Sequence, residues 1–154
     1  MAGISHHALE TPSVPGAKVL IVVAPYYKDI ADDLVAGARA EIESAGAEAE
    51  VIEVPGALEV PTAIGLAHGS GRYDAFVALG CVIRGETTHY ETVCNDSSRA
   101  LQMLGLNGVC IGNGILTVET YDQAAVRAAP DAQNKGGGAA AAALHMLALK
   151  RRFG

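Results

Sequence analysis

The chain has no tryptophan, two phenylalanines and three cysteines among its 154 residues. Cys81, Cys94 and Cys110 form no C-x-x-C pair, which removes the usual zinc-ribbon and thioredoxin spacings. As buried small hydrophobes they suit a reducing, cytoplasmic compartment. No apolar run reaches the roughly 18 residues that a membrane span requires. Met1 to Gly16 contains Pro12 and Pro15, lacks the basic-then-apolar order of a signal peptide, and reads as a flexible N-terminal arm (1–16). Basic residues are in the minority: 11 Lys and Arg against 17 Asp and Glu leave a net charge of −6, which argues against a nucleic-acid-binding face. His6 and His7 are adjacent in a polar arm and read as exposed, so no metal site is expected. Repeats are absent. Asn134-Lys135 before Gly136-Gly137-Gly138 does not have the order of a nucleotide P-loop, and the G-x-G of Gly112 to Gly114 is too short to argue for a dinucleotide.

What is present is a single apolar-rich domain over 17–154, with 50% hydrophobic residues and enough length for a real core. Lys18 to Ala24 is a β-branched run of the kind buried on both faces of a parallel sheet. Lys28 to Ala45 carries Ile30, Leu34, Ala38 and Ile42 at helical spacing, with Gly46 at the C′ position. A second strand over Ala49 to Val54 ends at Pro55-Gly56. A helix follows from about Glu59 to His68, with Pro61 tolerated in its first turn. Asp74 to Cys81 is the third strand. The helix after it, from His89 to about Leu104, turns Val93, Ala100, Leu101 and Leu104 inward, and Gly108 to Gly112 is a short fourth strand. Helices over Tyr121 to Ala128 and Gly138 to Arg151 close the chain, the second with Lys150-Arg151-Arg152 against the negative end of its dipole.

Four strand–helix alternations predict a four-stranded parallel sheet between two helical layers, a three-layer α/β/α fold. In such sheets ligands bind outside the carboxyl ends of the strands. Four corners are thereby singled out: Pro25-Tyr26-Tyr27, Pro55 to Glu59, Cys81 to His89, and Gly112-Asn113-Gly114. The third is the richest. After its strand the chain breaks at Gly85, offers the hydroxyls of Thr87 and Thr88, and enters a helix at His89. Unpaired N–H groups at a helix start attract an anion, and histidine titrates near neutrality. Two readings stay open on these residues alone: an anion pocket with a proton shuttle, or a threonine-capped helix with a solvated histidine.

Gly80-Cys81-Val82-Ile83-Arg84-Gly85-Glu86-Thr87-Thr88-His89-Tyr90-Glu91-Thr92-Val93 resembles the signature of the lumazine synthases, which act in riboflavin biosynthesis. Pro25-Tyr26-Tyr27, Val54 to Pro61, and the stretch carrying Arg127 and Asn134-Lys135-Gly136 fall in the same family's order. The likeness thus covers roughly Lys18 to Arg151. The resemblance implies a flavodoxin-like fold and a transferase needing no metal or cofactor. Its reaction would be condensation of 5-amino-6-(D-ribitylamino)uracil with 3,4-dihydroxy-2-butanone 4-phosphate to 6,7-dimethyl-8-ribityllumazine. The alternative is a catalytically weak flavin- or lumazine-binding protein on the same fold.

Residue by residue, the resemblance implies that Tyr26 stacks on the pyrimidine, although Pro25-Tyr26-Tyr27 stands where most members have Arg-Phe-Asn. Ala57, Leu58 and Glu59 would hold the pyrimidine or ribityl chain, and Cys81, Val82 and Ile83 would line the pyrimidine pocket. Glu86, through its backbone N–H, and Thr87 would meet the phosphate-bearing substrate. His89 would transfer protons, Arg127 would grip the phosphate, and Lys135 would stand beside it. Asn113 replaces a usual aromatic wall, and Gly138 a usual acidic residue. The family builds each site between subunits of a homopentamer. Arg127, Lys135 and Asn113 would come from one copy, and Tyr26 and His89 from the next. Shell-forming members carry a glycine-rich turn where this chain has Ala129-Pro130-Asp131-Ala132-Gln133. Without glycine no left-handed kink is expected there, so a free pentamer is favoured.

Overall fold

The computed structural model describes residues 9–154, so His6 and His7 lie outside the described residues. Its elements are β1 (Lys18–Val23), α1 (Lys28–Ser44), β2 (Glu48–Glu53), a 3₁₀ turn (Ala57–Glu59), α2 (Val60–Gly69), β3 (Ala75–Ile83), α3 (His89–Leu106), β4 (Ile111–Val118), α4 (Tyr121–Ala128) and α5 (Lys135–Phe153). The sheet has the order β2-β1-β3-β4, and every pairing is parallel. Its two faces are covered by separate helical layers, α1, α4 and α5 on one and α2 and α3 on the other. This is the three-layer, flavodoxin-like arrangement expected.

The period of two along a strand divides the core. Val19, Ile21 and Val23 of β1, with Val77 and Leu79 of β3, face the buried stripe Ile30, Leu34, Ala38 and Ile42 of α1. Leu20, Val22, Phe76 and Ala78 face Val60 and Ile64 of α2 and Leu101 of α3. Burying each Leu or Ile of this set contributes about 1.5–3 kcal/mol. α1 stops as its sequence demands. Gly46 takes φ 82°, and Ala47 N–H and Gly46 N–H donate to the carbonyls of Ile42 and Glu43 at 3.1 and 3.0 Å. Within the stretch read as an arm, Val14 is buried and its N–H donates to Ala45 O at 2.9 Å, so residues 14–16 run along the end of α1. Among the described residues no helix is long and apolar enough to cross a membrane.

Two element boundaries differ markedly from expectation, and glycine explains each. The fourth strand is Ile111–Val118 rather than Gly108 to Gly112, so Asn113 lies inside it, opposite Ala78 of β3, and not at a carboxyl-end corner. Gly112 and Gly114 end nothing. They let the sheet approach α5, because a Cβ on Gly112 would land on the Ala139 carbonyl. α5 begins at Lys135 rather than Gly138. Gly136 and Gly137 are buried inside it, and a Cβ on Gly136 would strike the Leu34 backbone of α1. Within the glycine-free turn, Ala129 to Gln133, no residue takes a left-handed conformation, as expected, and the left-handed step falls on the residue that follows it. Asn134 takes φ 49°, ψ 51°, and its side-chain oxygen accepts from Gly137 N–H at 3.2 Å, a conformation that asparagine tolerates through such local bonds.

Candidate active site

β1 pairs with β2 on one side and β3 on the other, so the chain order reverses between β1 and β3, and a crevice opens beyond their carboxyl ends. A cleft of about 470 Å³ occupies that place. It is lined by Tyr26 and Tyr27 after β1, by Ala57, Leu58 and Glu59 of the 3₁₀ turn, by Cys81, Val82 and Ile83 at the end of β3, and by His89 and Val93 of α3. Eight of the residues named from the sequence are thus gathered in one depression.

Tyr26 is 79% exposed, an open aromatic face at the mouth. Tyr27 supports it edge-on with ring centroids 4.9 Å apart, and Tyr121 at the start of α4 stands 6.3 Å from Tyr27 in turn. Burial, and then the neighbouring Cys81 and Tyr26, push the Tyr27 hydroxyl pKa up. Burial pushes the Cys81 thiol up to about 11, so the thiol is protonated and unreactive at neutral pH, a lining group rather than a nucleophile. The Glu59 N–H donates to Gly56 O at 3.1 Å, closing the turn that aims residues 57–59 at the cleft.

The segment from Arg84 to Thr88 joins β3 to α3, and all of it is exposed. Glu86 and Thr87 lie on this segment beside the cleft and outside its lining. Thr87 Oγ1 accepts from His89 N–H at 3.3 Å, whereas Thr88, at the N-cap, makes no side-chain capping bond. The N-terminal turn of α3 is therefore not closed off by its own cap.

A second concavity of about 500 Å³ lies along the outer edge of the sheet, between β4, the end of α4 and the start of α5. It gathers Asn113, Arg127 and Lys135 with Gly138, and shares no residue with the first cleft. α4 is set by a reciprocal capping box. Thr120 Oγ1 accepts from Gln123 N–H at 3.2 Å, and Gln123 Oε1 accepts from Thr120 N–H at 3.3 Å and Glu119 N–H at 2.8 Å. Arg127, one turn on, donates from Nη1 to Gln123 O at 3.0 Å. Lys135 is exposed at the first position of α5, held there by the Asn134 cap. Asn113 turns its amide back on its own strand, Oδ1 accepting from Ile115 N–H at 3.0 Å, and so satisfies a donor on the free edge. At Gly138 a side chain would meet nothing within 4 Å, so the groove is open at the position where the resemblance implied an acidic residue.

The structure thus brings the sequence-named residues together in two groups, not one. Tyr27 and Val93 in the first cleft were not named from the sequence as site residues. Tyr27 was legible as the second aromatic after a strand end, and Val93 as a helix residue one turn beyond His89. Among the described residues no three His, Cys, Asp or Glu side chains converge as a metal would need.

Comparison with known proteins bears on this geometry. The family model described as 6,7-dimethyl-8-ribityllumazine synthase matches residues 16–151. The chain is 58% identical over 155 residues to the 6,7-dimethyl-8-ribityllumazine synthase of Jannaschia sp. (strain CCS1), covering 100% of this chain and 87% of the relative. It is 58% identical to the protein of the same name from Methylorubrum populi, over 90% of this chain and 86% of the relative. For that of Zymomonas mobilis subsp. mobilis the identity is 57%, over 89% of this chain and 99% of the relative. With one family model spanning nearly all of the chain and such relatives matched almost end to end, this chain belongs to the 6,7-dimethyl-8-ribityllumazine synthase family.

Proposed function

We propose that this protein is a transferase that condenses 5-amino-6-(D-ribitylamino)uracil with 3,4-dihydroxy-2-butanone 4-phosphate to give 6,7-dimethyl-8-ribityllumazine. The 5-amino group forms an imine with the ketone, phosphate is eliminated, and the ribitylamino nitrogen closes the ring, with two waters lost overall. These steps need positioning, proton transfer and an anion site rather than a protein nucleophile. A cleft whose one thiol is held protonated suits that demand.

In this reading Tyr26 stacks on the pyrimidine, and residues 57–59 and 81–83 fix its edge and the ribityl chain. Glu86, through its N–H, and Thr87 meet the phosphate-bearing substrate beside the start of α3. His89, lining the same cleft, moves the protons, and Arg127 with Lys135 binds the phosphate.

The observation that carries the reading is the division of these residues into two separate concavities on one chain. A single copy holds the pyrimidine and proton-transfer groups in one place and the basic groups in another. Apposing the β4 edge of one copy to the cleft of the next completes the site. Repeated head to tail, that contact closes a ring, here a homopentamer. The three free cysteines agree with a cytoplasmic setting. Lumazine fluorescence after mixing the protein with both substrates is the test. Growth of the product signal above the uncatalysed rate supports the reading. Tight lumazine binding without turnover would make the protein a carrier instead.

A further inference from the structure

The loop from Gly85 to Thr88 carries two of the contacts to the phosphate-bearing substrate proposed above, yet it is exposed throughout, and its residues make little of their own bonding. Its ends are tied by the residue before it. Arg84 N–H donates to Val118 O at 2.9 Å, which carries the β3–β4 ladder one residue past the paired strands. The Arg84 guanidinium then reaches in two directions: Nε donates to Glu119 Oε1 at 3.0 Å, and Nη1 to Glu91 Oε1 at 3.0 Å. Its Cζ lies 4.6 Å from the centroid of the Tyr90 ring. Tyr90 and Glu91 immediately follow His89, so one side chain joins the start of the loop to its end. Glu119 immediately precedes the capping box of α4, which bears Arg127.

We propose that Arg84 is a positioning residue for the phosphate-bearing substrate: its planar fork staples the Gly85–Thr88 loop at both ends and neutralises the two carboxylates, Glu91 and Glu119, that it pairs with beside the loop. The inference rests on the function proposed above. The ion pairs themselves add little to folding, because their side chains are 45 to 59% exposed and surface pairs are weak. Their consequence is local. Without Arg84 the loop loses the tie between its ends, and two carboxylates beside it are left uncompensated, which disfavours an anion at the loop. A lysine restores one charge but not the two diverging N–H directions, so it recovers the function only in part.

Steady-state kinetics of the wild type, Arg84→Ala and Arg84→Lys, with each substrate varied in turn, tests this. A loss of binding shared by ground and transition states raises KM and spares kcat. The expected result for Arg84→Ala is a KM for the butanone phosphate raised about 10-fold or more, with inhibition by inorganic phosphate weakened in parallel. The KM for the pyrimidine and the kcat stay within about threefold, the melting temperature moves little, and Arg84→Lys falls between. Unchanged phosphate-substrate KM and unchanged phosphate inhibition in Arg84→Ala overturn the inference. So does an equal rise in both KM values with a large drop in melting temperature, which marks a merely structural role. If Arg84→Ala does not fold, Arg84→Lys decides by the same selective rise in phosphate-substrate KM. A wild type that forms no lumazine overturns the proposed function itself, whereas an active wild type with indifferent Arg84 variants overturns only this inference.

Discussion

Arg127 Nη1 donates to the carbonyl oxygen of Gln123 at 3.0 Å, and Gln123 is the residue whose side chain closes the capping box of α4. One of the five guanidinium N–H groups is therefore committed to the helix that carries it, and the others remain for a ligand. Committing one N–H lowers the entropy lost when the rest bind, which is how a half-buried arginine is prepared for an oxyanion.

Arg127→Ala removes that fork. Loss of a charge-assisted, desolvated contact to phosphate costs about 2–5 kcal/mol, on the order of 30- to 5000-fold in turnover at low butanone phosphate. The fold should be unaffected, since the residue sits at a groove and not in the core, and the ring should still assemble because the rest of the β4 edge is unchanged. Wild-type kinetics in the fluorescence assay would remove Arg127 from the site.

His89→Ala should be milder. General acid–base groups typically supply roughly 10²–10⁴-fold, and a condensation that also proceeds slowly unaided sits near the low end. Because His89 is exposed at the first position of α3, the variant should fold and bind product analogues as the wild type does. Simultaneous loss of turnover and of analogue binding would instead make the imidazole structural.

Two glycines where β4 and α5 meet should respond oppositely to alanine. Gly112→Ala puts a methyl on the Ala139 backbone, so α5 must move, and overpacking of this kind costs about 1–3 kcal/mol or more. Gly138→Ala meets open space inside a helix and should stabilise by about 0.5–1 kcal/mol. Urea midpoints of the two variants measure both. A neutral Gly112→Ala would show that the β4–α5 approach is looser than the backbone distances say.

The buried thiol gives a pH dependence with a definite sign. Cys81 is pushed up to about 11 in the fold, above the value of an unfolded cysteine. At pH 8 both states keep the proton, and stability is intact. Between the two values the unfolded chain releases its proton while the fold retains it, so stability falls as pH rises. Cys94, Cys110 and Tyr27 are shifted the same way by burial. Denaturant midpoints from pH 8 to 11 should therefore decline, less steeply in Cys81→Ala. At pH 7 iodoacetamide should modify Cys81 roughly 100-fold more slowly than a free thiol. Fast alkylation there would contradict the burial.

A free pentamer of five 15.8 kDa chains, roughly 80 kDa, is the expected assembly. The turn after α4 holds Pro130 between Ala129 (φ −58°, ψ 125°) and the left-handed Asn134. Proline fixes the first of these steps and removes a donor, so α5 leaves the turn in one set direction. Light scattering at neutral pH checks it, and a megadalton particle would show that this turn does not prevent a closed shell.

Several features were legible before any fold was known, because each depends on local or periodic chemistry. The stripe Ile30, Leu34, Ala38 and Ile42, the run Lys18 to Ala24 and the break at Gly46 fixed the elements and their order. The motif from Gly80 to Val93 fixed the cleft to which those elements lead. Gly112 could not be read in this way. A glycine in a sequence marks permission for an unusual approach but not which neighbour approaches. Taken as a turn it shortened β4, when its freedom is used against the Ala139 carbonyl of a helix almost thirty residues later. Nor could it be read that Asn134, just past the glycine-free turn, takes a left-handed step. The resemblance implied that His89 and Arg127 serve different sites of one chain, but the physical reason, their parting into two concavities, lies in the strand order. β3 lies inside the sheet and β4 at one edge, so the helix that follows β3 opens on the central cleft while the residues after β4 face the outer groove, a placement only the tertiary pairing of the strands decides.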